Sequence, residues 1–563
     1  MEKQMELQTF DKDVMMRRRL EKDSISDFKA GNNQDDRDRY ELERVGKKQV
    51  LKVSIHLLRN IAELTVTAPL RPGIYDRSFL RSDVIFATGF QNGGPAGLIY
   101  GFILIWLGNF SVFICIGELA SAVPTAGGQY HWVSLLAPKS NKRFFSYITG
   151  WLTVIGWIAA LTSVCFFVSD LVLQLASLNN PESYVRENWH ATLLLWAILM
   201  LCVFINVFVS GALPTIEVIV LIVHVLGFFG ILVPLVYLTP AHNTAKDIFT
   251  TFHNKGQWPT QALAFFVGLQ GNALAFVGTD SVVHVEEVRN ASKDVPRSML
   301  MSLGINGTLA VGLLLAVLFS ATDISGLLEE VSPLSPFIRI FRTAVGSTAG
   351  ATIMVSIIIA LEFCSAMGCL AAASRMTWSF ARDRGLPFSN ALSIIDSRST
   401  IPVVAILVVT VFAALLSLIN IGNSAAFNGT ISLVLEGFYL SYLLAIGLLF
   451  WRRVRGDLDG NTEELAIFPS SAQHTDAYDR SLTWGPWRLK GALGIANNAV
   501  AICYLLLIIF FSFWPTQVNP TAEMMNWAVV VTGGVATFSV VYYVIFARKS
   551  YTGPIVEVDP HTL

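Results

Sequence analysis

Asp280, Glu362 and Glu436 are carboxylic acids that lie inside long apolar stretches of the sequence. An acid at such a position is costly in a membrane and usually has a function. Glu362 and Glu436 could carry a proton from one side of a membrane to the other, so they are predicted as proton-coupling candidates. The structural alternative is a neutral carboxyl group satisfied by a neighbouring helix, and the sequence leaves both open.

His224 lies in the middle of the apolar stretch VIVLIVHVLGFFGIL. An imidazole titrates near neutral pH and could relay a proton, which makes His224 a third proton-coupling candidate. A lone histidine on an apolar helix is also a common packing residue that forms one hydrogen bond. The sequence does not separate these two roles.

Glycines and polar residues occur together in the apolar stretch that begins near Gln261. Each glycine costs a helix about 1 kcal/mol relative to alanine, so the cluster favours a local break. The amide and carbonyl groups that a break frees could bind a carboxylate or an ammonium group. An aromatic ring in the same stretch could attract a cation. The predicted substrate-binding residues are Gly268, Gly271, Asn272, Phe276, Gly278 and Asp280.

Close packing between helices is the alternative reason for such a glycine cluster. Beyond it, Asp280, His284 and Glu287 are spaced i, i+4 and i+7. This spacing predicts that the helix continues and presents the three side chains on one face as a polar gate.

These residues belong to a chain with about eleven apolar stretches of about twenty residues, each long enough to cross a bilayer as a helix. The composition is 53% hydrophobic and 14% charged, with a mean hydropathy of +0.54, whereas soluble proteins are about 25% charged. The sequence therefore predicts an all-α polytopic membrane protein in contact with the lipid bilayer. The stretches begin near Gly94, Phe145, Trp189, Pro214, Gln261, Met299, Gly346, Ile401, Ala425, Leu493 and Asn526.

Lysine and arginine concentrate in alternate loops, roughly eighteen in one set against five in the other. The positive-inside rule assigns the richer set to the cytoplasm, and with it residues 547–563 as a cytoplasmic tail. Residues 1–49 are polar and charged and predict a disordered cytoplasmic tail. Eleven spans would place the two tails on opposite sides, so span number and charge pattern conflict.

A further span within residues 50–90 would remove this conflict, but the segment is not a convincing span. Seven of its charged residues would each cost about 2.5 to 3.5 kcal/mol at the bilayer centre, and its prolines interrupt a helix. Residues 50–90 are therefore predicted as an atypical segment that precedes a transmembrane domain at 91–546. The seven residues are Arg59, Glu63, Arg71, Asp76, Arg77, Arg81 and Asp83.

Other kinds of chemistry find no support in the sequence. It contains no phosphate-binding loop, zinc-ligand spacing or nucleophile elbow, and nothing points to nucleic acid. All six cysteines fall in apolar stretches and read as small packing residues. We therefore expect no enzyme activity, no metal and no cofactor.

Several stretches together resemble the fungal amino acid, GABA and choline permeases of the amino acid, polyamine and organocation (APC) transporter superfamily. The resemblance implies two inverted five-helix repeats plus two further carboxyl-terminal helices, with the first helix of each repeat broken around the substrate. It also implies a plasma membrane location. The stretches include FATGFQNGGPAGLIYGF, GELASAVPTAGGQYHWVSLLAPK, FVGTDSVVHVEEVRNASKDVPRSM, SRMTWSFARDRGLP and GPWRLKGALGIANN.

The chain departs from this family at residues 50–85, where the first broken helix is expected and a charged segment stands instead. The first family helix is thus replaced or degraded. The leading hypothesis is a secondary active transporter that imports a small amino compound by alternating access, coupled to protons. The rival hypothesis is a transport-inactive membrane protein of the same fold, acting as a sensor or partner because the first helix is missing.

Overall fold

The structure is a computed structural model. It describes residues 42, 47, 86–284, 288, 290–322, 334–396, 401–422, 424–456, 484–521 and 525–557. Every regular element of six or more residues in these ranges is helical, which confirms the predicted all-α class. Residues 50–85 and most of residues 1–49 lie outside the described residues. The expectations about these two segments therefore stay predictions.

Fourteen helices of six or more residues occur in the described ranges. They are α1 Phe86–Ala122, α2 Gln129–Leu136, α3 Lys142–Asn179, α4 Asn188–Phe208, α5 Leu213–Leu238, α6 Ala245–Thr250, α7 Gln261–Leu274, α8 Ala291–Ser320, α9 Pro336–Val345, α10 Thr348–Arg382, α11 Val403–Ser417, α12 Ser424–Arg455, α13 Gly491–Ser512 and α14 Ala528–Tyr542. A π-helical turn, Tyr543–Ala547, extends α14.

Ten helices in the described part of the chain are long and apolar enough to cross a membrane. They account for ten of the eleven predicted stretches. The exception is the stretch that begins near Gln261, because α7 ends at Leu274 after 14 residues. Among the described residues, the eleven predicted stretches therefore correspond to ten long helices and one interrupted helix.

Helix α1 contains a sharp turn at Gly94, whose φ of 68° and ψ of −171° are not helical. A Cβ atom at Gly89 would lie 2.7 Å from Leu98, nine residues later. Nine residues of straight helix span about 13.5 Å, so the short piece before Gly94 folds back along the long piece after it. This short piece packs against Gly268 of α7.

The centre of the bundle is formed around α3, which packs against α2, α10 and α12, and around α1, which packs against α7, α8 and α13. Glycines allow the closest approach. At Gly437 of α12, a Cβ atom would lie 2.9 Å from the Cα atom of Gly156 in α3 and from the carbonyl oxygen of Leu152. Small residues at such crossings let helix backbones touch in a membrane protein.

Both ends of the described chain meet at one face of the bundle. The ammonium group of Lys47 and the backbone amide of Ile555 both bind the side chain of Asp383, at the end of α10. Lys47 falls in the stretch predicted to be disordered, yet it is only 4% exposed.

Candidate functional site

The predicted break in the apolar stretch after Gln261 is present, directly after Leu274. Residues 275–280 form turns, and a 3-10 helix follows at Ser281–His284. The backbone bonds here join residues three apart, as in Phe276 N–H to Ala273 O at 3.3 Å, so the α-helical pattern is lost. Gly278 has a φ of 89°, a conformation that glycine adopts without strain.

The six predicted substrate-binding residues divide into two groups. Phe276, Gly278 and Asp280 lie in the interrupted stretch, whereas Gly268, Gly271 and Asn272 remain within α7. Gly268 faces the short piece of α1, where its Cβ atom would lie 3.4 Å from the Cα atom of Gly89. Asn272 donates from Nδ2 to the Leu98 carbonyl at 3.4 Å. The turns at 275–280 therefore include the last of the three predicted glycines, and Gly268 and Asn272 contact α1.

Asp280 is fully buried next to the break. Its Oδ2 accepts a hydrogen bond from Nε2 of Gln129, the first residue of α2, at 2.6 Å. The same oxygen lies 3.4 Å from Nε2 of His284. Its other oxygen, Oδ1, has no hydrogen-bond partner among the described residues. A buried carboxylate is costly unless its charge is paired, which makes Asp280 a candidate for pairing with a cation.

His284 contacts Asp280 in a different way from that predicted. The spacing of Asp280, His284 and Glu287 predicted one α-helical face, but the chain from 275 to 284 is not α-helical, and Glu287 lies outside the described residues. Nδ1 of His284 lies 2.9 Å from the carbonyl oxygen of Ala126. Since a carbonyl only accepts, Nδ1 carries a proton and Nε2 faces the carboxylate.

Aromatic rings surround the interrupted stretch. Trp157 of α3 meets the His284 ring edge to face, with centroids 5.7 Å apart, and lies beside Gly278. Phe276 packs against Phe102 at 5.1 Å. The hydroxyl group of Tyr442, on α12, faces the Asp280 carboxylate. Rings next to a carboxylate suit an ammonium group, which both attract.

Two residues of this site were not singled out from the sequence: Gln129 and Tyr442. Gln129 lies within the stretch TAGGQYHW, which carries part of the family resemblance, so the motif marked the position but not its role. Tyr442 lies in an apolar helix without a distinguishing pattern. Both reach Asp280 only through the packing of α2 and α12 against the break.

The three proton-coupling candidates are all buried. Glu436 accepts a hydrogen bond from the Thr532 hydroxyl at 2.6 Å, which joins α12 to the outer helix α14. His224 lies on α5, and neither ring nitrogen has a hydrogen-bond partner among the described residues. Glu362 lies within α10. Of the titratable residues that were considered from the sequence and that the structure describes, only His284 is placed against Asp280.

An all-helical bundle with a helix interrupted beside a buried acid is the architecture of a membrane transporter that holds a small solute at its centre. The comparison with known proteins agrees. The family model described as amino acid permease matches residues 77–535. This chain belongs to that family, within the APC superfamily that the sequence motifs resembled.

Curated relatives cover most of the chain. A putative amino acid/polyamine transporter from Macrophomina phaseolina is 30% identical over 79% of this chain and 92% of its own length. The choline transporter of Saccharomyces cerevisiae is 28% identical over 82% of this chain and 77% of its own length. An amino-acid permease from Arabidopsis thaliana is 26% identical over 91% of this chain and 95% of its own length. These matches support a multi-pass transporter of amino compounds.

Proposed function

We propose that this protein is a secondary active transporter that imports a small amino compound by alternating access, coupled to protons, at the plasma membrane. The observation that carries the proposal is the buried carboxylate of Asp280, which lies beside the helix break with one oxygen unused. A solute ammonium group would bind this oxygen and neutralise the buried charge. The rings of Trp157 and Tyr442 would cover the ammonium group.

The opposite end of a zwitterionic solute would bind the interrupted backbone. Amide groups near Gly278 lie outside the α-helical pattern and could donate to a carboxylate, as the ends of broken helices do in transporters. A quaternary ammonium compound has no N–H to donate, so it would depend on the Asp280 charge and the aromatic rings. The relatives include both an amino-acid permease and a choline transporter.

Proton coupling is supported by the buried contact between His284 and Asp280, which places a second titratable side chain against the proposed cation site. Glu362, Glu436 and His224 remain the candidates that the sequence predicted. We propose that a proton gradient drives uptake.

Uptake of labelled amino acids, GABA and choline by cells that express the chain tests the proposal. We expect at least one of these solutes to accumulate above the level in cells without the chain, and a protonophore to lower this accumulation. No accumulation of any solute, by a chain shown to be present at the cell surface, would contradict transport.

The second candidate function is a sensor or partner that binds the solute without moving it. The departure of residues 50–85 from the family pattern motivates it. Purified protein separates the two functions, because a sensor would be stabilised against heat by the solute while proteoliposomes of the same preparation accumulate none.

A further inference from the structure

The carboxylate of Asp383 is a buried junction between three separate parts of the chain. It lies directly after α10 and is fully buried. Its Oδ1 binds Nζ of Lys47 at 2.5 Å and accepts from the Ile555 amide at 2.9 Å. Its Oδ2 accepts from the Tyr130 hydroxyl, on α2, at 2.7 Å. Lys47, the carboxyl-terminal segment at Ile555 and α2 are thus all bound to one side chain.

Further contacts hold the carboxyl-terminal segment against the bundle near Asp383. The Tyr551 hydroxyl lies 2.7 Å from the Ser146 hydroxyl, which donates to the Tyr130 carbonyl at 2.8 Å. The Tyr551 ring meets the Phe380 ring at 5.8 Å. Glu557 forms an ion pair with Arg382 nearer the surface. The tail is therefore bound along its length from Tyr551 to Glu557.

This junction is connected to the candidate site through α2. Gln129 binds Asp280, and the next residue, Tyr130, binds Asp383. The loop before α2 also covers the site, because the Ala126 carbonyl contacts His284. A Cβ atom at Gly128 would lie 3.0 Å from the His284 ring. The loop and α2 therefore lie between Asp280 and the face of the bundle that carries both tails.

We propose that Lys47, Tyr130, Asp383 and Ile555 form a latch that keeps α2 against α10 and closes the path from Asp280 to the face carrying the tails. Lys47 supplies the cation that pairs with the buried Asp383 carboxylate. Its departure leaves a buried charge without its cation, which is unfavourable. Opening of this face thus requires the tails to leave Asp383.

Cysteine labelling tests the latch without any measurement of transport. Ser281 is fully buried next to Asp280, so a Ser281→Cys chain reports whether water reaches the site. The reagent is a membrane-impermeant methanethiosulfonate, applied to membranes with the tail-bearing face outward. The unsubstituted chain, with its six native cysteines, gives the background.

We expect Lys47→Met to raise the rate of Ser281→Cys labelling by at least roughly fivefold, the lower end of usual coupling between sites. A chain ending at Ser550, which lacks Tyr551 and Ile555, should do the same. Lys549→Met is the matched control, since it removes an exposed lysine from the neighbouring segment, and it should leave the rate unchanged.

Asp383→Asn should also raise the rate, provided that the purified protein elutes as a single species. Where this variant does not fold, the Lys47→Met and shortened chains decide. The comparison uses three chains that elute as single species: Ser281→Cys alone, Ser281→Cys with Lys47→Met, and Ser281→Cys in the chain ending at Ser550. Equal labelling rates in all three would overturn the latch.

Discussion

At the scale of single residues, the site depends on the charge of Asp280. An Asp280→Asn chain keeps the shape and the Gln129 contact but removes the charge that would bind an ammonium group. We expect uptake of the transported solute to fall by at least about tenfold, which corresponds to about 1.4 kcal/mol. Initial uptake rates, corrected for the amount of protein at the surface, measure this loss.

The control for this prediction is Asp247→Asn, which removes an exposed acid at the start of α6. It should change uptake little. An Asp280→Asn chain that transports as well as the unsubstituted one would show that the solute binds elsewhere.

His131, beside the latch, gives a prediction about pH. Burial, helped by the charge of Lys47, lowers the pKa of His131 from 6.5 to about 3. The unfolded chain therefore binds a proton between these two pH values that the folded chain does not, and stability falls as the pH drops through this window. A His131→Gln chain should lose less thermal stability between pH 7 and pH 4. Melting temperatures in detergent at both pH values measure the difference.

The opposite result would be an equal or steeper loss in the His131→Gln chain, which would mean that the imidazole is already protonated in the fold. Thr125 holds the ring through a contact of 2.9 Å to Nδ1, and the glutamine amide can replace this hydrogen bond.

At the scale of helices, the bundle depends on the crossing of α3 and α12. Gly437→Ala places a methyl group 2.9 Å from the backbone of Gly156, so the two helices must separate. We expect a loss of about 1 to 3 kcal/mol, as for other overpacked sites, seen as a lower melting temperature. Gly447→Ala lies on the same helix with no atom within 4 Å of the added carbon.

Gly447→Ala is therefore the matched control, and it should leave the melting temperature unchanged or raise it, since alanine favours helix. If both variants melt at the same temperature, the close approach of α3 and α12 does not limit stability.

At the scale of the whole molecule, the two tails share one face because Lys47 and Ile555 bind the same carboxylate. We expect reporter tags fused to the two ends to lie on the same side of the membrane, and the loop charges place that side in the cytoplasm. Complementation of each tag by a fluorescent-protein fragment made in the cytosol measures this. An amino-terminal tag reached only by an extracellular probe would contradict both the contact and the charge pattern.

The sequence determined the properties that depend on local composition. Apolar stretches of fixed length predicted the membrane helices, and the glycines after Gln261 predicted an interrupted helix, because hydrophobicity and backbone propensity act within a few turns. Its limits appear at Gly268 and Asp280. Local propensity did not show which glycine from Gly268 to Gly278 lies at the break, nor that the helical face expected from Asp280 would be lost at residues 275–284.

Only the tertiary structure decided which residues share a site. Gln129 and Asp280 are 151 residues apart, and Lys47 and Asp383 are 336 apart. Their contacts depend on which way each side chain points and on how closely the helices approach. A buried carboxylate accepts hydrogen bonds from the donors that helix packing brings within about 3 Å. No local pattern in the sequence specifies which donors these are.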